Sequence, residues 1–273
     1  MKLSRVGIYA ILILAAVIFL FPLYFLVVTS LKSLPDIYKT SSWSFPSHIS
    51  WTGFALAWRG LKQGFINSFE FTIPAVIFSV FLGSLGGFAL TKIRFKGANL
   101  VFLFLLFGMF LPYQVVLIPL VKFMASVHLY GNIWSLIITH TAYGIPITTL
   151  IFRNFYSSIP TSLIEAGKVD GANLIQIYTK IIVPLSIPGV VVAVIWQFTS
   201  IWNNFLFGLT LGSLPTIRPI TVMLNNFLNL SSGVAEWNAV MAGALLTAFP
   251  TIIVYLLMGK YFVRGLFGGA VKG

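Results

Sequence analysis

The sequence contains no cysteine and very little charge. Among its 273 residues there are 17 basic and five acidic side chains, and charged residues make up 8% of the chain. The lack of cysteine excludes thiol catalysis, Cys-ligated metals and disulfide bonds. Because a soluble globular domain carries about 25% charged residues, the scarcity of charge excludes a soluble enzyme. Hydrophobic residues make up 58% of the chain, which excludes a disordered chain and indicates a polytopic membrane protein.

Several functions lack the residues they would need. No Gly-x-x-x-x-Gly-Lys-Ser/Thr phosphate loop occurs, so this chain is not expected to hydrolyse ATP. All five acidic residues lie outside the long apolar runs, which argues against coupling to protons or sodium ions. The three histidines, His48, His128 and His140, are scattered and form no metal-binding or catalytic pattern. The net charge of +12 is expected to orient the loops of a membrane protein, and no nucleic-acid partner is expected.

Six apolar runs are long enough to cross a membrane, which takes about 20 residues of helix. None alternates with the period of two that a membrane β-barrel strand requires. The expected fold is therefore an all-α polytopic membrane protein with six transmembrane helices, forming a single domain over residues 1–273. The expected helices cover residues 7–31, 69–92, 99–124, 132–152, 186–209 and 240–262.

Lysine and arginine predict the orientation of these spans. Eleven of the 17 basic residues lie in the connections on the side of the two termini, including Lys2, Arg94 and Lys272. Both termini are therefore expected in the cytoplasm, in a multi-pass protein of the cell (cytoplasmic) membrane. The expected outer loops are 32–68 and 210–239. The first is rich in tryptophan, which suits a segment at the lipid interface.

The connection over residues 153–185 is too long for a tight link between two spans. Ser162 followed by Glu165 has the spacing of a capping box at the start of a helix. Asp170 and Gly171 are expected to end that helix, with Gly171 supplying a left-handed turn and Asp170 able to cap the next helix.

A second helix is expected over residues 172–182, ending before Pro184. The whole connection is then a helix-turn-helix at the cytoplasmic surface. It is either a link between spans, in which Glu165 and Asp170 act only as caps, or a docking element for a soluble partner.

The residues of this turn resemble a known family. The stretch 165–172, Glu-Ala-Gly-Lys-Val-Asp-Gly-Ala, followed by Ile181 and Pro184, is similar to the "EAA" loop of ABC-importer permease subunits. The pattern of that loop is Glu-Ala-Ala, three residues, Gly, nine residues, Ile, one residue and Leu-Pro. Gly167 departs from it by replacing the second Ala, and Val183 by replacing Leu.

The resemblance extends over the whole chain. Pro112-Tyr113-Gln114 and Trp202-Asn203-Asn204-Phe205 resemble the carbohydrate-uptake branch, specifically the smaller, six-helix permease of maltose-type importers. Family members often carry an acid where Asn204 stands. The implied function is the membrane-spanning subunit of an ATP-driven importer that translocates a sugar.

The resemblance also implies which residues dock the ATPase and which partners take part. Glu165 would cap and orient the docking helix. The residues expected at the docking site are Leu163, Ile164, Glu165, Ala166, Gly167, Asp170, Gly171 and Ala172. The implied partners are a second permease in a heterodimer, two ATP-binding cassette subunits and an extracytoplasmic sugar-binding protein. No cofactor is expected on this chain, since ATP and Mg²⁺ would bind to partner subunits.

The resemblance also implies roles for one outer loop and for the C-terminal tail. The 210–239 loop would reach towards the cleft of the binding protein, and the tail after Lys260 towards the ATPases.

Polar side chains within spans usually face the bundle or a water-filled cavity. Offsets of about 3, 6, 7 and 10 residues place one such line on a single side of the fifth expected helix. Amides pair with hydroxyl groups and aromatic rings stack on sugar faces, so a neutral polyol is the expected solute. The candidate path residues are Tyr113, Gln114, Tyr143, Gln197, Ser200, Asn203, Asn204 and Phe207.

Three other interpretations stay open at this point. The amides could instead hydrogen-bond between helices, which is common in membrane bundles. The chain could be a permease for a non-sugar solute such as spermidine or phosphate, or a channel or membrane enzyme. The one-turn spacing of Gly83 and Gly87 predicts close helix packing rather than a ligand site.

Overall fold

The computed structural model describes residues 5–93, 95–230 and 236–268, and the regular structure in this part of the chain is helical throughout. Three of the basic residues used to predict the orientation, Lys2, Arg94 and Lys272, lie outside the described residues. In chain order the helices are α1 (Arg5–Ser30), α2 (Leu34–Lys39), α3 (Thr52–Lys92), α4 (Ala98–Phe110), α5 (Tyr113–Ser126), α6 (Ile133–Ser157), α7 (Thr161–Val169), α8 (Leu174–Ile177), a π-helical segment (Tyr178–Ile182), α9 (Val183–Leu185), α10 (Ile187–Trp202), α11 (Leu206–Leu211), α12 (Ile220–Leu230) and α13 (Trp237–Gly268).

The predicted number of spans is confirmed when each bent helix pair counts as one span. Four helices in the described chain are long and apolar enough by themselves: α1, α3, α6 and residues Trp237–Gly259 of α13. Two bent pairs also qualify, α4 with α5 and the segment Leu174–Leu185 with α10. The second pair includes residues that the sequence assigned to the 153–185 connection, and α10 itself begins at Ile187, one residue after the predicted start of the fifth span.

Helix α3 begins at Thr52, much earlier than the predicted start at residue 69. The prediction was wrong because Arg59 and Lys62 interrupt the apolar run on which it rested. Both side chains are exposed, so the helix continues through them without burying a charge. The outer connection after α1 is correspondingly shorter than the predicted 32–68 loop.

Two predicted spans are broken near their polar residues. The expected helix 99–124 bends by 98° between α4 and α5, because Pro112 disfavours helical backbone at Leu111, where ψ is 119°. The expected helix 186–209 ends at Trp202 and resumes in α11. There the Asn204 Oδ1 atom accepts a hydrogen bond from the Phe207 N–H at 2.9 Å, a side-chain bond that competes with continuous helix.

The second helix of the 153–185 connection does not end before Pro184, as the sequence predicted. It passes through the π-helical segment, in which the Val183 N–H donates to the carbonyl of Tyr178, five residues back. This wider turn carries the helix past Pro184, which has no N–H to donate, and α9 ends at Leu185. The chain then bends by 78° into α10.

The described chain divides into two compact units, and the prediction of a single domain stays a prediction. The first comprises the described residues within 1–65 and 222–250. Within it, Gly53 packs on the backbone of α13, since a Cβ at this position would lie 2.8 Å from the carbonyl carbon of Asn238 and 3.1 Å from the oxygen of Ser30. The Asn238 Nδ2 atom donates to the carbonyl of Lys32 at 3.2 Å.

The second unit comprises the described residues within 66–221 and 251–273. In it α4 and α10 pack on α6, and α11 packs on both α5 and α6. A Cβ on Gly87 would lie 2.7 Å from the Cβ of Phe152, and one on Gly83 would overlap Thr148. The predicted close packing at these two glycines is confirmed, and it joins α3 to α6.

Candidate functional site

The turn after α7 is a Schellman motif, the usual way to end a helix with a left-handed residue. Gly171 has a φ of +80°. Its N–H donates to the Lys168 carbonyl at 3.1 Å, and the Ala172 N–H donates to the Gly167 carbonyl at 2.9 Å. A Cβ on Gly171 would meet nothing within 4 Å. The left-handed turn predicted at Gly171 is confirmed, and backbone conformation alone accounts for glycine there.

The predicted capping box at Ser162 and Glu165 is wrong. Helix α7 begins two residues earlier, directly after Pro160, and has no side-chain cap at its start. The capping box belongs to α8, where Asn173 Oδ1 accepts from the Gln176 N–H and Gln176 Oε1 accepts from the Asn173 N–H, each at 2.9 Å. Asn173, rather than Asp170, therefore caps the second helix.

Burial divides the expected docking residues into two groups. Ile164 and Gly167 are buried and hold α7 on the second helix, since a Cβ on Gly167 would lie 2.9 Å from Ile181 Cδ1. Ile164 packs in a core with Ile177, so its side chain supports the loop from within. Five other residues are exposed and Ala172 is half-buried; the exposed ones are Leu163, Glu165, Ala166, Asp170 and Gly171.

Three further apolar residues on this loop are exposed, and the sequence analysis missed them. Val169 is 87% exposed, Ile175 73% and Leu174 50%. Together with Leu163 they form what we term the apolar docking face: Leu163, Val169, Leu174 and Ile175. Apolar residues beside the turn were visible in the sequence, but which of them face outward depends on the angle between α7 and α8.

A chain of three hydroxyl groups anchors the loop to the spans. The Ser84 Oγ atom on α3 lies 2.6 Å from the hydroxyl of Tyr156 on α6 and 2.7 Å from that of Tyr178 in the π-helical segment. At the entrance to the loop, the Lys92 Nζ atom donates to the Ile159 carbonyl at 2.7 Å. These bonds join the segments on either side of the α7–α8 turn to α3 and α6.

A cavity of about 620 Å³ lies within the second unit. Each of the breaks at Pro112 and at Asn204 contributes to its wall. Seven of the eight candidate path residues line it: Tyr113, Tyr143, Gln197, Ser200, Asn203, Asn204 and Phe207. Gln114 is exposed and does not line the cavity, because the bend at Pro112 turns α5 so that Tyr113, but not its neighbour, faces inward.

Phe207 is the centre of an aromatic wall in this cavity. Its ring centroid lies 5.0 Å from that of Tyr143, 5.4 Å from that of His140 and 5.6 Å from that of Tyr113. The His140 ring also stacks on Phe71 at 5.6 Å. The cavity is therefore lined both by apolar ring faces and by the polar atoms of the His140 and tyrosine rings.

Each of the three amide side chains uses one polar atom on the backbone. Gln197 Nε2 donates to the Gly144 carbonyl at 3.0 Å, and Asn203 Nδ2 donates to the Thr199 carbonyl at 2.9 Å. Asn204 Oδ1 accepts from Phe207. The sequence analysis left open that the amides hydrogen-bond between helices. Gln197 makes such a bond, from α10 to α6. The other polar atom of each amide, Gln197 Oε1, Asn203 Oδ1 and Asn204 Nδ2, has no hydrogen-bond partner within the described chain.

His140 lines the cavity, although the sequence analysis left it out. Its side chain is 4% exposed, and its Nε2 atom has no hydrogen-bond partner within the described chain. A polar residue inside an apolar span was the available signal. His140 and the polar residues of α10 lie far apart in the sequence, so the sequence alone did not indicate that they line one cavity.

A family model described as "Binding-protein-dependent transport system inner membrane component" matches residues 75–268. The chain belongs to this family. It is the transmembrane permease subunit of an ABC importer, a class in which ATP hydrolysis lies on separate cassette subunits and a binding protein takes part. The predicted family and the prediction that this chain is not itself an ATPase are confirmed.

Similar proteins include other permeases. A probable ABC transporter permease protein of Pyrococcus horikoshii is 50% identical to this permease over 188 residues, 68% of each chain. A xylose/arabinose import permease protein of Haloferax volcanii is 36% identical over 287 residues, which cover 97% of this chain and 93% of the relative.

A solved structure has the same fold as this permease. It belongs to a bacterial ABC transporter involved in the import of the acidic polysaccharide alginate, and it superposes with a TM-score of 0.82 at 24% identity. The match covers 96% of this chain and 99% of the solved one. The all-helical permease fold predicted from the sequence is confirmed.

Proposed function

We propose that this permease translocates a neutral sugar and that the 620 Å³ cavity is part of its path. The observation that carries the proposal is the chemistry of the lining. Among the residues that line the cavity in the described chain, none is Asp, Glu, Lys or Arg, while amides, tyrosines and Phe207 converge there. Such a lining suits hydroxyl groups and apolar sugar faces, and it offers no counter-charge to an anion or a polycation. The xylose/arabinose relative supports the same solute class.

Solute-stimulated ATP hydrolysis tests the solute class. The reconstituted importer, with its binding protein, would be given pentoses, hexoses and oligosaccharides, and in parallel spermidine and inorganic phosphate. We expect stimulation by one of the sugars alone. Stimulation by spermidine or phosphate without any sugar response would overturn the proposal.

A variant of the cavity connects the solute to this site. Asn203→Ala removes one available polar atom, and a single net hydrogen bond of about 0.5–1.5 kcal/mol corresponds to a half-saturating sugar concentration about 2- to 10-fold higher. Thr210→Ala is the matched control, because the Thr210 Oγ1 atom bonds only within α11 and does not line the cavity. Equal behaviour of the two variants would place the solute elsewhere.

The α7–α8 turn is proposed as the site that docks an ATPase subunit. Its apolar docking face is exposed on a loop whose other side is fixed by the Ser84 hydroxyl chain. Closure of the ATPase pair would push α7, and the hydroxyl chain would pass this movement to α3 and α6. ATP and Mg²⁺ are proposed to bind to those partners and not to this chain.

Co-purification tests the docking face. Val169→Asp places a charge on the most exposed apolar residue of the face, and we expect the ATPase to be lost while the permease still inserts. Ser157→Asp is the control, since Ser157 is exposed at the end of α6 and lies outside the docking face. Retention of the ATPase by Val169→Asp would contradict the assignment.

Orientation and pairing complete the proposal. We place both termini and the α7–α8 turn in the cytoplasm, and a second, related permease beside this one as a heterodimer. Because the chain has no cysteine, Glu165→Cys introduces one reactive thiol on the exposed side of α7. It should react only with membrane-permeant reagents in intact cells; reaction with an impermeant reagent would reverse the orientation.

A further inference from the structure

His140 is a polar residue that is enclosed by aromatic rings of its own chain. Its imidazole stacks on Phe71 of α3, with ring centroids 5.6 Å apart and an angle of 13° between the planes. It meets Phe207 of α11 edge-on at 5.4 Å. The side chain is 4% exposed, and all three residues belong to the second unit. This burial comes from contacts within one chain and does not depend on a second permease.

Packing alone does not account for a histidine at this position. Its Nε2 atom is buried and has no hydrogen-bond partner within the described chain. A buried polar atom without a partner is destabilising, and phenylalanine would occupy the same space between the two rings without this penalty. A side chain that lowers stability in this way is typical of a functional site.

The residue lies on the side of α6 that faces the cavity. Tyr143 and Gly144 follow His140 by three and four residues, which places the three on one side of the helix, and all of them line the cavity. Gln197 Nε2 donates to the Gly144 carbonyl at 3.0 Å. His140 therefore lies one helical turn, about 6 Å along the axis, from the point where the polar line of α10 meets α6.

The imidazole can present a nitrogen atom to the cavity without a change in the helix. No hydrogen bond holds Nε2 in place, and the χ2 torsion of histidine has a broad, roughly two-fold profile. A half turn about this torsion keeps the ring in its plane against Phe71 and moves each nitrogen to the opposite edge. A neutral imidazole offers one donor and one acceptor nitrogen, and a hydroxyl group can pair with either.

We propose that His140 is a specificity residue of the solute path. Its imidazole hydrogen-bonds one hydroxyl group of the passing sugar and favours sugars that carry a hydroxyl group at that ring carbon. The contact rests on the proposed function, because it lies in the same cavity.

Monodeoxy sugars test this contact in proteoliposomes that contain the assembled importer and its binding protein. The probes are the sugar that stimulates ATP hydrolysis most, among the pentoses, hexoses and oligosaccharides named above, and its analogues that each lack one hydroxyl group. Uptake is measured below half-saturation. Each probe is compared between the parent and a variant, so that the selectivity of the binding protein cancels.

His140→Phe should change the preference among these probes. Uptake of the sugar itself should fall about 2- to 10-fold, the equivalent of one net hydrogen bond. Uptake of the one analogue that lacks the paired hydroxyl group should match that of the parent importer, since this bond is already absent. A role in packing alone would lower the uptake of every probe by one common factor, and that result overturns the proposal.

Two further variants complete the test. His48→Phe is the matched control, since His48 is exposed and does not line the cavity, and it should take up every probe as the parent does. If His140→Phe does not assemble, His140→Met removes the same nitrogen atoms with a side chain that adapts to irregular gaps, and the same pattern is expected.

The outcomes separate the contact at His140 from the proposed function. If no sugar stimulates ATP hydrolysis, both fail. If a sugar does so and Asn203→Ala raises its half-saturating concentration, while His140→Phe takes up every probe as the parent does, the sugar path stands and the contact at His140 is overturned.

Discussion

The side-chain oxygen of Ser84 lies 2.7 Å from the hydroxyl oxygen of Tyr178, which joins the membrane helix α3 to the segment behind the α7–α8 turn. The same oxygen lies 2.6 Å from the hydroxyl of Tyr156 on α6. One small side chain thereby connects three elements that are distant in sequence.

Ser84→Ala should weaken this link. The Tyr156 side chain is buried, and an unsatisfied buried hydroxyl costs about 1–3 kcal/mol. We expect lower thermal stability and, because the turn can then move without α3, fewer solute molecules transported per ATP hydrolysed. Thr91→Ala is the control, since the Thr91 hydroxyl bonds within α3. Equal transport stoichiometry in the two variants would argue against a coupling role.

The left-handed conformation at Gly171 makes a second prediction. Gly171→Val forces a β-branched residue to a φ of +80°, at a cost of about 1–2 kcal/mol, and should distort the α7–α8 turn enough to lose ATPase co-purification and uptake. Gly97 has a φ of +91° and equally open surroundings. Gly97→Val therefore carries the same strain in another loop and should retain both activities.

Gly144 is predicted to tolerate no side chain. A Cβ there would lie 2.7 Å from the Cβ of Ser79 and 2.9 Å from Nε2 of Gln197. Gly144→Ala should separate α6 from its neighbours, lower stability by about 1–3 kcal/mol and reduce uptake. Gly108 also lines the cavity, but a Cβ there meets nothing within 4 Å. Gly108→Ala should be as stable as the parent or slightly more so, as thermal unfolding in detergent would measure.

The Nε2 atom of His140, which has no hydrogen-bond partner within the described chain, leads to a fourth prediction. His140→Phe keeps an aromatic ring between Phe71 and Phe207 and removes a buried polar atom without a partner. Stability should stay level or rise by about 1 kcal/mol. His140→Ala instead leaves a void and should be destabilised. If His140→Phe unfolds as readily as His140→Ala, the Nε2 atom has a partner outside the described chain.

The features that the sequence predicted well depend on neighbouring residues. The long apolar run predicts α1, the one-turn spacing of Gly83 and Gly87 predicts a helix contact, and Gly171 after Asp170 predicts a left-handed turn. The positions of Gln197 and Ser200 on one side of α10 follow from helical spacing, whereas Asn203, Asn204 and Phe207 lie beyond its last residue, Trp202. In each case the signal lies within a few residues of the feature, so no knowledge of distant contacts was needed.

One error was local, and the others arose where contacts between distant residues decide the structure. The capping box at Ser162 was wrong because α7 begins two residues earlier, directly after Pro160, and the start of α3 was missed because Arg59 and Lys62 can stay exposed on a packed helix. Ile164 was read as a docking contact, but it faces the core of its own loop. His140 was set aside because its neighbours in the cavity come from other helices.

Length, scarce charge and the EAA-like turn were enough to establish a membrane-spanning importer subunit whose ATPase lies on other chains. These properties can be predicted from the sequence, because run lengths and residue spacings do not depend on how the helices pack. Which polar atoms share one cavity, which apolar side chains of the turn face a partner and which rings enclose His140 were decided by the tertiary structure. The physical reason is that each depends on the angle between helices, which arises only when side chains far apart in sequence come into contact.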